Sequence, residues 1–296
     1  MSTPKNMSRK DPVGGAPSSS VAKAQSKNSG LSGYLQTLFT TQVWKPAAMG
    51  AACYWAALPP WNLVPLAWVA VIFFVSIIVR KELPGKRPYF KLYLVWVFFC
   101  LATFHWLRLP HPMLHIGWLA GATYLGYQLP TFIGLARVAV HRMKIPVVVA
   151  APVVWIALEY ARAYLFTGFT MGALSHSQVE FLPLIQIADL GGQYLVDGLI
   201  MLVGVGFVAL FALKGKERAR TVTTAVLLFG LSIGYGVSRM SDGPSDDAPS
   251  VKIALIQGSI DTHVVPEEGS FQKTWSQYAG LSAEAATQNS DLDLVV

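Results

Sequence analysis

The sequence predicts an α-helical polytopic membrane protein of about seven transmembrane helices, followed by the first strand–helix–strand unit of an α/β domain. Three observations predict it. Hydrophobic residues make up 53% of the 296-residue chain and charged residues 13%. A soluble domain carries about 25% charged residues, so these charges are too few to cover a water-facing surface; the mean hydropathy of +0.44 agrees. The apolar residues are gathered into successive runs that approach the roughly 20 residues needed to cross a bilayer. Beyond residue 250 the long runs stop and short strand and helix patterns replace them.

Residues 1–42 are rich in Ser, Lys, Gly and Pro and lack apolar periodicity, which predicts a disordered basic tail. The stretch is too polar for too long to be a signal-peptide n-region. Residues 43–240 hold the apolar runs. The first two, 43–58 and 63–79, meet through Pro-Pro-Trp-Asn, which cannot continue a helix and reads as a hairpin. The next are 92–107, 114–136, 145–166, 194–213 and 221–237. Residues 241–250, Ser-Asp-Gly-Pro-Ser-Asp-Asp-Ala-Pro-Ser, read as a polar linker. In residues 251–296, Val251–Gln257 reads as a strand. Phe271, Trp275, Tyr278, Ser282 and Ala285 recur at helical spacing over about 268–287. Leu-Asp-Leu-Val-Val then begins a second strand. So short a segment cannot bury enough surface to fold alone, so the chain is expected to be the front portion of a larger protein.

The net charge of +7 would raise nucleic acid as a partner in a soluble protein. Here the basic residues sit in the tail, in 80–91, in 137–144 and in 214–220, and the alternate connections hold only Arg108. Such a bias sets topology: the N-terminus is expected to be cytoplasmic and everything after about Arg239 outside. No basic patch is interleaved with aromatic residues as on a nucleic-acid surface. Trp44, Trp61, Trp106 and Trp118 at segment ends fit interfacial belts.

The residues that could carry chemistry are few. Glu159 and Arg162 lie three apart inside an apolar run, so they neighbour one another on a helix. An ionisable group in a span is either a structural ion pair or a functional site facing a cavity, here one for an anionic lipid headgroup. The following stretch, 167–192, has no Lys or Arg and is long enough to suggest a functional loop. Within it His176 and Gln178 could hydrogen-bond a ligand. Asp189, before Gly191-Gly192, reads as a cap or turn residue, and Asp197 needs a partner that the sequence does not identify. Cys53 and Cys100 read as small buried hydrophobes. His111 and His115 flank Pro112 in a turn, and no metal site or cofactor is expected. There is no Gly-x-Ser-x-Gly and no phosphate loop.

The stretch Trp-Ile-Ala-Leu-Glu-Tyr-Ala-Arg-Ala-Tyr-Leu-Phe-Thr-Gly-Phe (155–169) resembles the apolipoprotein N-acyltransferases. In that family a W-x-x-x-E-x-x-R helix runs into a T-G-F turn, a Ser-Gln pair and a Gly-rich start to the next helix. The matches are Trp155, Glu159, Arg162, Thr167, Gly168, Phe169, Ser177, Gln178, Gly192, Tyr194 and Val196. The hairpin around Pro59-Pro60-Trp61 and the run Val-Lys-Ile-Ala-Leu-Ile-Gln-Gly (251–258) are also similar to the family, the latter to the first strand of its nitrilase-like domain. The resemblance implies that residues 251–296 begin a nitrilase-like (carbon–nitrogen hydrolase) domain and that the protein sits in a bacterial inner membrane.

It also implies an acyl transfer in two steps. A cysteine thiolate takes an acyl chain from a phospholipid, forming a thioester and releasing the lysophospholipid. The α-amine of a lipoprotein's N-terminal diacylglyceryl-cysteine then takes the acyl group, forming an amide and regenerating the thiol. A Glu serves as base and a Lys steadies the oxyanion. In the family these catalytic residues follow the Leu-Val-Val strand, so they are expected beyond Val296 and the chain is expected to be inactive by itself. Thr170-Met171 stand where the family has Pro-Trp, Ser259 where it has Asn, and Asp197 where it has Ser. The alternatives are another membrane-tethered nitrilase-superfamily amidase or acyltransferase, or a non-enzymatic scaffold or transporter. The strand–helix–strand tail speaks against the last, since transporters need no such unit.

Overall fold

The computed structural model describes residues 42–241, 243, 249–260 and 268–296. The expected basic tail, apart from Gln42, and most of the expected linker lie outside the described residues.

Described residues are mostly helical, with little sheet. A hairpin comes first: α1 (Trp44–Ala57) and α2 (Pro65–Ile78), each of 14 residues. At 1.5 Å rise such a helix is about 21 Å long, short of a hydrocarbon core of about 30 Å. Pro65 opens α2 and Pro88 opens α3 (Pro88–Thr103), a first-turn position where a missing N–H costs nothing. The apolar run 114–136 is not one continuous helix. It divides into α4 (Leu114–Leu125) and α5 (Gln128–Arg137) around Gly126, where the backbone passes so close to α3 that a Cβ would lie 2.4 Å from Val97 Cγ2. A π turn, Val138–Arg142, follows α5. Then come α6 (Val147–Tyr164), a short α7 (Leu182–Ile185), α8 (Ala188–Ala212) and α9 (Gly215–Ser241). Among the described residues, α6, α8 and α9 are long and apolar enough to cross a membrane, and α2 and α3 are shorter apolar helices.

Helix α8 is the core. It packs against α2, α6 and α9, and small residues bring the backbones close, as bilayer helices require. A Cβ on Gly204 would lie 2.2 Å from Val71 Cγ1 of α2. The helix is interrupted at Gly191–Gly192, where Gly192 has φ +63°, a conformation that favours glycine; its regular part begins near Gln193, close to the expected start at Tyr194. Helix α9 starts earlier than its apolar run, because the basic stretch from Lys216 already forms helical turns.

The contacts sort the connections into two ends. At one end Arg137 donates to the carbonyls of Ile77 and Ile78 at 3.2 Å and of Lys81 at 3.0 Å, and also to that of Arg80. His141 pairs with Ile78 O at 2.9 Å, so the last carbonyls of α2 are capped by residues of α5 and its π turn. At the other end Asn62 Nδ2 donates to Glu180 at 3.4 Å. There too Asp189 accepts from Tyr235 Oη at 2.7 Å and pairs with Arg239 at 3.3 Å, so it ties α8 to α9 besides standing in the first turn of α8.

The stretch 167–192 is not structureless. It carries a 3₁₀ turn, Leu174–Gln178, then α7 and the first turn of α8. Pro183 in α7 meets α9 so tightly that a Cβ on Gly236 would fall 1.7 Å from Pro183 O. Gly236→Ala is expected to cost about 1–3 kcal/mol through overpacking against fixed backbone. Gly230→Ala on the same helix, with nothing within 4 Å, should be neutral or slightly stabilising. Denaturant unfolding of the two variants in one detergent checks this.

In the C-terminal segment, β1 (Ile253–Ala254) and β2 (Leu294–Val295) pair in parallel, Ile253 opposite Leu294 and Ala254 opposite Val295. Helix α10 (Ser270–Gln288) lies between them in sequence. Gln277 Nε2 donates to Gly258 O at 2.7 Å, and Lys252 pairs with Asp291. The regular strands are shorter than the expected Val251–Gln257.

Candidate functional site

The charged pair of α6 sits inside the bundle. Glu159 is 1% exposed and Arg162 8%. Arg162 Nη2 donates to Glu159 Oε2 at 2.5 Å, across the one helical turn that their spacing dictates. The sequence does not reveal the third member, Gln128, at the start of α5. Its Nε2 donates to Glu159 Oε1 at 2.5 Å, and its Oε1 accepts from Arg162 Nη1 at 3.5 Å. Both carboxylate oxygens of Glu159 are therefore engaged. Arg162 Nε has no hydrogen-bond partner and stays a free buried donor. The cost of placing charge here is met by pairing and hydrogen bonding.

Beneath the pair lies an aromatic stack. Trp155, one turn earlier on α6, is fully buried; it meets Phe132 of α5 edge-on at 5.0 Å and Trp96 of α3 at 6.4 Å. Tyr54 of α1 packs on Phe99 at 5.0 Å and donates from Oη to Gly172 O at 2.8 Å.

None of the hydrogen bonds of His176 and Gln178 goes to Glu159 or Arg162. Both residues lie on the 3₁₀ turn Leu174–Gln178, and each has its own partner. Gln178 is fully buried: its Oε1 accepts from Trp68 Nε1 at 3.1 Å, and its Nε2 donates to Ser177 Oγ at 2.9 Å and to Val64 O at 3.4 Å. His176 Nε2 pairs with Gln193 Oε1 at 3.2 Å. Asp197 supplies the link to the charged pair. It is fully buried, accepts from the Ser175 backbone N–H at 2.6 Å, and lies within electrostatic range of both Glu159 and Arg162.

The remaining residues singled out in the sequence have plain surroundings. Cys53 and Cys100 are unbridged thiols. His111 Nδ1 accepts from the Met113 N–H in the turn before α4, and His115 Nδ1, in the first turn of α4, pairs with Pro112 O. Arg108 stacks over the Trp118 ring at 5.6 Å. No group of three or more metal-ligating side chains occurs among the described residues. A pocket of about 200 Å³ opens between the end of α6 and α4, lined by Phe104, Trp118, Tyr124, Phe166 and Phe169 among others.

Comparison with known proteins gives this arrangement a context. The family model described as "Apolipoprotein N-acyltransferase N-terminal domain" matches residues 50–206, which include α6 and the Leu174–Gln178 turn. A protein of Rhodopirellula baltica named apolipoprotein N-acyltransferase is 29% identical over 277 residues, covering 86% of this chain and 47% of its own length. One of the same name from Geobacter metallireducens is 32% identical over 255 residues, covering 80% of this chain and 47% of its own. Another from Vibrio vulnificus is 33% identical over 147 residues, covering 50% and 27%. The chain thus spans about half the length of the first two relatives. With more than half of its residues inside the matched model, the chain belongs to the apolipoprotein N-acyltransferase family.

Proposed function

We propose that the gene product carrying this chain transfers an acyl chain from a phospholipid to the N-terminal diacylglyceryl-cysteine amine of lipoproteins, and that residues 43–240 are its membrane domain. The observation that carries this reading is the family match over 50–206, which contains the charged helix and the turn that follows it. The charged pair and its surroundings suit a lipid-handling role. Arg162 holds Glu159 with a terminal nitrogen while Nε stays unpaired, so it keeps donor capacity for a phosphate or ester oxygen. Glu159 and Arg162 are assigned to the headgroup site, with His176 and Gln178 on the adjoining wall.

Seven spans are proposed, with the N-terminus cytoplasmic and residues after about 239 on the outer face of a bacterial inner membrane. Basic connections support the orientation, and the contacts at the two ends support the grouping. Arg137 and His141 cap α2 beside the 80–91 connection, whereas the 58–64 turn, the 172–180 stretch and the end of α9 gather at the opposite end. Residues 241–250 would be the linker and 251–296 the start of the nitrilase-like domain, a reading supported by the parallel β1–β2 pair joined through α10. Catalytic Glu, Lys and Cys are assigned to the part of the gene product beyond Val296.

Complementation tests the function. In cells depleted of their own N-acyltransferase, the full-length gene is expected to restore triacylated lipoproteins, read as a mass gain of one acyl chain on the N-terminal peptide. Well-expressed protein that leaves lipoproteins diacylated would overturn the reading.

A further inference from the structure

We propose that Asp197 is a positioning residue that holds the Leu174–Gln178 turn in register beside the Glu159–Arg162 pair; its part in the reaction rests on the acyltransferase reading above. A carboxyl group with no exposure near the start of a packed span is expensive, and what it does there is specific. Oδ1 accepts the Ser175 backbone N–H at 2.6 Å, a contact spanning 22 residues. The Ser175 hydroxyl lies beside the same carboxyl group, and the backbone bond is the one of regular geometry.

The turn is held at consecutive residues. Gln193 and Asp197 are four apart on α8 and therefore share a face. Asp197 holds Ser175, and Gln193 holds His176 at 3.2 Å. From the other side Trp68 of α2 holds Gln178 at 3.1 Å. The turn is thus clamped between two helices by side chains, because a single 3₁₀ turn has too few backbone bonds to fix itself. Of the three arms, that of Asp197 is the one that holds the turn by its backbone. It also carries the electrostatic link, since Asp197 lies in range of Glu159 and Arg162. Placement of His176 and Gln178 relative to the charged pair then depends on Asp197, although Asp197 touches no substrate.

Amide hydrogen exchange and acyl transfer, measured on the full-length gene product in nanodiscs, test the proposal together. Asp197→Ala should speed exchange of the Ser175 and His176 amides by about 10-fold, the loss expected for one hydrogen bond. Asp197→Asn keeps an acceptor oxygen and should retain most of the protection. Ser175→Ala keeps the backbone N–H and should speed exchange less than Asp197→Ala does. Acyl transfer should fall in Asp197→Ala and return in Asp197→Asn, with the loss seen as a higher KM for phospholipid. Unchanged exchange in Asp197→Ala overturns the latch. Faster exchange with unaltered transfer overturns the positioning role. Should Asp197→Ala fail to fold, Asp197→Asn decides: protection lost as far as in the unfolded chain overturns the latch, and protection kept supports it. A wild type that acylates nothing removes the function and the positioning role with it, while the exchange result still reports on the latch.

Discussion

Glu159→Ala is expected to destabilise the bundle by about 3–5 kcal/mol, the usual cost of removing one partner of a buried ion pair. The reason is what remains. Arg162, 8% exposed, would keep its charge with no carboxylate beside it, and Gln128 Nε2 would lose its acceptor. In a span neither group can turn to bulk water without unpacking the helix. The paired replacement Glu159→Leu with Arg162→Met removes both charges and should recover most of the loss, because the net contribution of a buried pair is small once desolvation is counted. Lipid use should not recover with it, since the donor at position 162 is gone. Denaturant unfolding of the single and paired variants, set beside acyl-enzyme formation by the full-length protein, separates the two effects. A single variant as stable as wild type would show that Arg162 finds another partner, for which Asp197 is in range.

Trp155→Ala is expected to cost a similar 3–5 kcal/mol, by the cavity left when a buried aromatic is truncated. Trp155 has no exposure and joins three helices, meeting Phe132 of α5 and Trp96 of α3 from its place on α6. Trp155→Phe should cost less than Trp155→Ala, because it leaves a smaller cavity and the indole Nε1 has no hydrogen-bond partner to lose. Comparing the two unfolding midpoints checks it. If Phe is as damaging as Ala, the indole N–H makes a bond that this packing does not provide.

How much of this could be read from the residues follows from the range of each interaction. The Glu159–Arg162 pair is legible because three residues on a helix fix a neighbour, and the 2.5 Å contact agrees. Gln128 is not, because its partner lies 31 residues away and one amide in an apolar run has no spacing signal. Asp197 could be marked as needing a partner, but the partner proved to be a backbone N–H, which no side-chain pattern encodes. The break near Gly126 was missed because an isolated Gly in an apolar run is commonly tolerated; the tight approach to Val97 is tertiary. The loop after α6 looked irregular because its 3₁₀ turn is held from outside, by α2 and α8, rather than by its own periodicity. Helix α10 follows the three-and-four spacing of its apolar residues and starts within two residues of the expected position.

The most direct test of the central claim is the mass of a single peptide. Purified full-length gene product is incubated with phospholipid and a synthetic diacylglyceryl-cysteine lipopeptide, and the peptide is then weighed and fragmented. The account predicts one added acyl chain, on the α-amine, with an equal yield of lysophospholipid and a lower rate in Arg162→Ala. A lipopeptide of unchanged mass, from protein that is folded and supplied with phospholipid, would contradict it.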